Sequence, residues 1–200
     1  MKGLYAILDD NNFDYKYLDQ TIINMIDNKI KIFQIRIKSN ITKSKLNTIN
    51  KIQLLCKKKK CILIMNDNIS LAKSLDLDGV HIGSSDTSII NAKNILGNNK
   101  IIGVSCYNNI DYALESEKYG ASYISLGSLY KTYTKNNPVN LEITTILKAQ
   151  ELLQVPICLI GGINRGNIND TIKLNCDLIA ISKGLSSKNE MIKIANIYND

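Results

Sequence analysis

An α/β fold, a single closed (β/α)8 barrel, is what the sequence predicts. Short apolar, β-rich runs alternate eight times with segments of helical spacing along the 200 residues. Alternating β and α demands a parallel sheet, and eight units ending on a helix point to a closed TIM barrel at the small end of its size range. No linker or composition shift interrupts the series, so residues 1–200 read as one domain. An open doubly wound sheet is the alternative. Against it, no G-x-G-x-x-G follows the first strand, where Asp9-Asp10 stands instead.

Each unit has its own justification. Leu4–Leu8 is an apolar strand, and Tyr17–Ile26 repeats apolar residues at helical spacing. Ile30–Ile37 alternates isoleucine with polar residues, a strand that puts Gln34 and Arg36 on an inner face. Thr42–Cys56 is helical, and Lys57–Lys60 closes it where cations favour the helix dipole. Cys61–Met65 is too short for a helix and suits a buried parallel strand. Ile69–Leu75 makes two helical turns, and Gly79–Ile82 is a strand that breaks at Gly83. A helix at about Ser88–Leu96 stops at Gly97, the strand Ile101–Cys106 follows, and the helix Ile110–Tyr119 stops at Gly120. Tyr123–Leu126 is a strand, joined by a long polar loop to the helix Leu141–Leu153. Strands Ile157–Ile160 and Leu178–Ile181, with helices at about Asn167–Leu174 and Lys188–Tyr198, complete the barrel.

Composition narrows the function. Twenty-five basic against eighteen acidic residues give +7, which suits an anionic partner. With no Trp and two Phe, the chain lacks the aromatic–basic interleaving of a nucleic-acid surface. Lys and Asn are abundant in strands and loops alike, so part of the charge is compositional bias. Five cysteines without a C-x-x-C pair favour reduced, buried thiols and a cytoplasmic location. The N-terminus does not read as a signal peptide, and no apolar run approaches bilayer-spanning length.

Barrels of this kind carry their chemistry in the loops after the strands. Those loops hold Gln34, Arg36 and Lys38, then Asn66 and Asp67, Asp86, Ser105, Thr132, Thr134 and Lys135, the Gly161-Gly162 pair, and Ser182. Strands three and four are sequence neighbours, so Asp67 and Asp86 can converge at one edge. Two facing carboxylates repel unless they share a proton or a cation, and a hard divalent cation is the simplest partner. Backbone N–H groups at the glycine pair suit a phosphate. Taken singly, Asp67 and Asp86 are equally readable as helix caps, and Gly162 as a turn residue. His81, the only histidine, reads as a packed strand residue, and its being alone rules out a multi-histidine metal site.

Jointly the motifs are more specific. QIRIK (34–38), MND (65–67), GVHIGSSD (79–86), GVS (103–105), TYTK (132–135), IGGI (160–163) and AIS (180–182) resemble thiamine phosphate synthase in content, order and spacing. The resemblance spans nearly the whole chain. It implies a catalytic TIM barrel that condenses hydroxymethylpyrimidine diphosphate with thiazole phosphate and releases pyrophosphate. By motif, it assigns the pyrimidine diphosphate to Gln34, Arg36, Lys38, Asn66, Ser105 and Lys135. Ile37, where relatives are often acidic, lies within that segment. Among these, Arg36, Ser105 and Lys135 carry catalysis. Asp67 and Asp86 hold Mg2+, while Thr132, Thr134, Gly162, Ile181 and Ser182 hold the thiazole phosphate. The implied partners are phosphorylated small molecules, with no nucleic acid or membrane and a homo-oligomer left open.

Departures from the pattern are Ile37, and Tyr130-Lys131 where apolar residues usually precede TxT. The chain also starts almost at its first strand, so the N-terminal segment of many relatives is missing or short, which puts closure of the barrel bottom in question. Two alternatives stand beside this reading. One is the sister thiazole tautomerase, which usually lacks the paired carboxylates and TxTK. The other is a non-catalytic phosphate- or nucleic-acid-binding barrel, suggested only by the charge.

Overall fold

The computed structural model describes residues 1–131 and 141–200. Eight parallel strands close into a barrel in sequence order. They are β1 (Gly3–Asp9), β2 (Ile32–Arg36), β3 (Ile62–Asn66), β4 (Gly79–Ile82), β5 (Ile101–Tyr107), β6 (Tyr123–Leu126), β7 (Ile157–Ile160) and β8 (Leu178–Ile181). The helices are α1 (Leu18–Asp27), α2 (Lys43–Lys59), α3 (Ile69–Ser74), α4 (Ile89–Leu96), α5 (Ile110–Lys118), α6 (Ile143–Leu152), α7 (Ile168–Lys173) and α8 (Lys188–Asn199). The expected (β/α)8 barrel is present, and every element lies within two or three residues of its sequence-based position.

Successive side chains on a strand point to opposite faces, so each strand feeds two cores. One face lies against the helices, in two clusters centred on residues such as Leu8, Phe33 and Leu63, and Val80, Val104 and Ile124. The other fills the barrel with Tyr5, Ile7, Ile32, Ile64, Tyr123, Cys158, Leu178 and Ala180. Gly103 exists to admit Tyr123, since a Cβ there would stand 2.1 Å from the Tyr123 ring. The barrel bottom does close. β1 pairs with β8 from Gly3↔Leu178 to Ala6↔Ile181, and Met1, Ile62 and Ile101 pack against the interior cluster.

Helix ends follow local chemistry. Thr42 caps α2, its hydroxyl accepting from the Lys45 N–H at 3.2 Å, and the helix runs into the lysine series before Lys60 turns left-handed (φ 53°). Asn68, Ser88 and Asn109 cap α3, α4 and α5 through their side chains. Four of the cysteines are buried and Cys176 is half-buried, none in a disulfide. Burial pushes the Cys56 and Cys106 thiols up to about 12. Among the described residues, no helix is long and apolar enough to cross a membrane.

Candidate active site

The carboxyl edge of the barrel is built from side chains on the inward-facing register of adjacent strands. Gln34 and Arg36 on β2, Asn66 on β3, His81 on β4 and Ser105 on β5 share it. Ser182, one residue past β8, continues it. Ile181 and Ile37 have the opposite parity. Ile181 is buried in the outer core and Ile37 packs against it, so neither side chain is directed along the barrel axis with the others.

Charge at this edge comes in pairs. Arg36 is ion-paired through Nη1 to the carboxylate of Asp9, which is 8% exposed, and Asp9 also accepts from the Asn11 N–H at 2.9 Å. Asp9 therefore fixes where the guanidinium points. Asp10 accepts from the Lys38 N–H at 3.0 Å, from the Lys45 ammonium at 2.8 Å, and from Ser39. Burial opposes its ionisation, but those donors outweigh it and hold the carboxyl well below the usual aspartate range. The acidic pair closing β1 thus orders the segment after β2.

The two aspartates expected to bind metal are not helix caps. Asn68 and Ser88 take that role for α3 and α4. Asp67 sits at a left-handed φ of 59°, donates its N–H to the His81 carbonyl at 2.9 Å, and accepts from the Lys38 ammonium at 2.7 Å. Asp86 folds back to accept from the Gly83 N–H at 2.7 Å. They follow β3 and β4, which are paired parallel neighbours, so both lie after strands that end at the same carboxyl edge. Among the described residues, no group of three or more His, Cys, Asp or Glu could hold a metal ion. Two carboxylates suit Mg2+, which commonly takes one or two protein carboxylates and completes its shell with water and substrate phosphate.

On the opposite side, Gly161 and Gly162 both adopt left-handed backbone (φ 110° and 66°). A Cβ on Gly162 would stand 2.7 Å from the Lys131 carbonyl oxygen and 2.8 Å from the Tyr130 Cβ. The glycine is therefore demanded by geometry as well as by any ligand. Its carbonyl accepts from Asn164 and Asn167 at 3.0 and 3.1 Å. Ser182 Oγ accepts from Asn12 Nδ2 at 3.0 Å, which ties the loop after β1 to the end of β8. Thr132, Thr134 and Lys135 lie outside the described residues.

A family model described as thiamine monophosphate synthase matches residues 4–185. The chain belongs to the thiamine monophosphate synthase family. Thiamine-phosphate synthase of Nitrosomonas eutropha is 36% identical over 200 residues, covering 100% of this chain and 93% of that protein. That of Wolinella succinogenes is 35% identical over 188 residues, covering 94% and 86%. Among solved structures, thiamine phosphate pyrophosphorylase from Pyrococcus furiosus superposes with a TM-score of 0.84 at 27% identity, covering 98% and 95%. A 3-hexulose-6-phosphate synthase from Salmonella typhimurium, at 15% identity and TM-score 0.72, shares the fold. Membership in the thiamine monophosphate synthase family makes this chain an enzyme of that type, a transferase of thiamine biosynthesis acting on phosphorylated small molecules.

The site reading missed Asp9, Asn12, Tyr5, Tyr123 and the second role of His81. The signal for Asp9 was available, because it ends the strand beside Arg36. Tyr5 and Tyr123 look like ordinary core residues in sequence. Only register puts their hydroxyls beneath the site.

Proposed function

We propose that this enzyme joins 4-amino-2-methyl-5-hydroxymethylpyrimidine diphosphate to thiazole phosphate, forming thiamine phosphate and pyrophosphate. One observation carries the reading. Arg36, Lys38, Asn66, Ser105 and Ser182 stand at one barrel edge, with Arg36 and Lys38 each held by an aspartate. This chemistry fits an anion that gains charge as it leaves.

In the proposed reaction, the methylene C–O bond breaks with its electron pair going to the diphosphate. The thiazole nitrogen lone pair then forms the C–N bond to the pyrimidine-stabilised cation. Arg36, Lys38 and Lys135 neutralise the departing diphosphate, and Gln34, Asn66 and Ser105 orient it. Asp67 and Asp86 would hold Mg2+, which when bound supplies further charge neutralisation at the phosphate oxygens. Thr132, Thr134 and backbone N–H groups at Gly162, Ile181 and Ser182 hold the thiazole phosphate. No general base with a tuned pKa is required for the ionising step.

The test is a coupled assay of pyrophosphate release. Release requires both substrates and Mg2+ together. Release from the pyrimidine substrate alone at the full rate would contradict the condensation, and full turnover in excess chelator would remove the metal.

A further inference from the structure

Five side chains inside the barrel make one unbroken hydrogen-bonded path ending at the site. Gln34 Nε2 donates to Tyr5 Oη at 2.6 Å, and Tyr5 Oη lies 2.9 Å from Tyr123 Oη. Tyr123 Oη lies 2.8 Å from His81 Nδ1, and His81 Nε2 lies 2.9 Å from Ser105 Oγ. Packing fixes the rings as well. Tyr5 meets Tyr123 edge-on, with centroids 6.0 Å apart, and Tyr123 stacks on His81 at 5.6 Å.

Proton counting gives the path a direction. A phenol has one proton and a neutral imidazole has one N–H. Tyr5 accepts from Gln34, and among the described residues Tyr123 Oη is the acceptor in reach, 2.9 Å away, so its own proton goes to Tyr123 rather than being left unpaired in the core. Tyr123 then spends its proton on His81 Nδ1. That nitrogen must be bare, which leaves the ring proton on Nε2, facing Ser105. Burial pushes both phenols up, well beyond the ordinary tyrosine value, so neither breaks the sequence by ionising.

We propose that His81 is a positioning residue: locked as the Nε2–H tautomer by the tyrosine pair, it donates to Ser105 and turns the serine's own proton toward the substrate diphosphate. A serine that accepts from below is free to donate above, and an anionic phosphate oxygen takes that donation. The orientation is set in advance by the barrel core, so it costs no rearrangement as charge develops. The destination of the Ser105 proton rests on the proposed function. The tautomer does not.

The test has two arms. His81 is the only histidine in the chain, so 15N NMR of the substrate-free protein reports its ring nitrogens without overlap. At about pH 8, above the ordinary histidine range, the proton is expected on Nε2, with Nδ1 accepting. Tyr123→Phe is expected to admit the other tautomer. A wild-type ring protonated on Nδ1 overturns the proposal with no variant needed. In the kinetic arm, His81→Leu and Ser105→Ala each lower kcat by about 10- to 100-fold, and the double variant is little worse than either. His81→Gln, which keeps an N–H donor, recovers part of the loss. Multiplicative losses, or no recovery in a folded His81→Gln protein, would overturn the positioning role. A protein that makes no thiamine phosphate would remove the role given to Ser105, and the NMR arm would still decide the tautomer.

Discussion

Asp67 and Asp86 show how much a single residue's reading depends on its neighbours. In sequence each was equally a helix cap or a metal ligand, but Asn68 and Ser88 do the capping, and the two carboxylates are left for other work. Asp67→Asn and Asp86→Asn should each lower turnover by roughly 10²-fold, the scale of a lost electrostatic contact in the transition state. Steady-state kinetics of the double variant decides whether they share one ion. A double little worse than either single is expected, and additive losses would mean independent roles. Asp10 has a different consequence. Its carboxyl is depressed in the folded state, so the unfolded chain binds more protons and stability rises with pH across the interval. The contribution is fully present above the ordinary aspartate value of about 3.9 and drains away as pH falls through the folded value. Asp10→Asn should therefore lower the melting temperature clearly at pH 7 and much less in strong acid. An equal gap at both pH values would contradict this.

Two glycines belong to the scale of strands and turns. Gly103 on β5 makes room for the Tyr123 ring of β6, so Gly103→Ala forces a buried aromatic to move. Overpacking of this kind costs about 1–3 kcal/mol, and a lowered melting temperature should show it. An unchanged melting temperature would mean that the ring yields freely. Gly162 is held left-handed against the Lys131 carbonyl, so Gly162→Ala should destabilise the turn after β7. It should also raise KM for thiazole phosphate while leaving the affinity for pyrimidine diphosphate nearly intact. Equal weakening of both substrates would argue against a dedicated phosphate site there. Elements of this kind were legible in sequence because their signals are local: period, breakers and caps. Their ends shifted where geometry intervenes, as at Leu141, which is not helical but donates to the Ser128 carbonyl at 2.8 Å.

Across the whole molecule, the closed barrel followed from repetition alone, since eight β-then-α units leave few other solutions. Arg36, Asp67, Ser105 and Gly162 could be placed at one barrel edge from sequence because they sit in motifs at strand ends, and the structure has them at that edge. The Gln34–Tyr5–Tyr123–His81 path was not legible, because it joins four strands distant in sequence through side chains that only the barrel register aligns. Ile181 shows the converse: a motif position can stand at the barrel edge while its side chain faces the helices. The most direct measurement is to mix both substrates with the purified protein and Mg2+ and quantify the products. The account predicts thiamine phosphate and pyrophosphate in equal amounts. An altered thiazole with no pyrophosphate, or no product from either substrate, would contradict it.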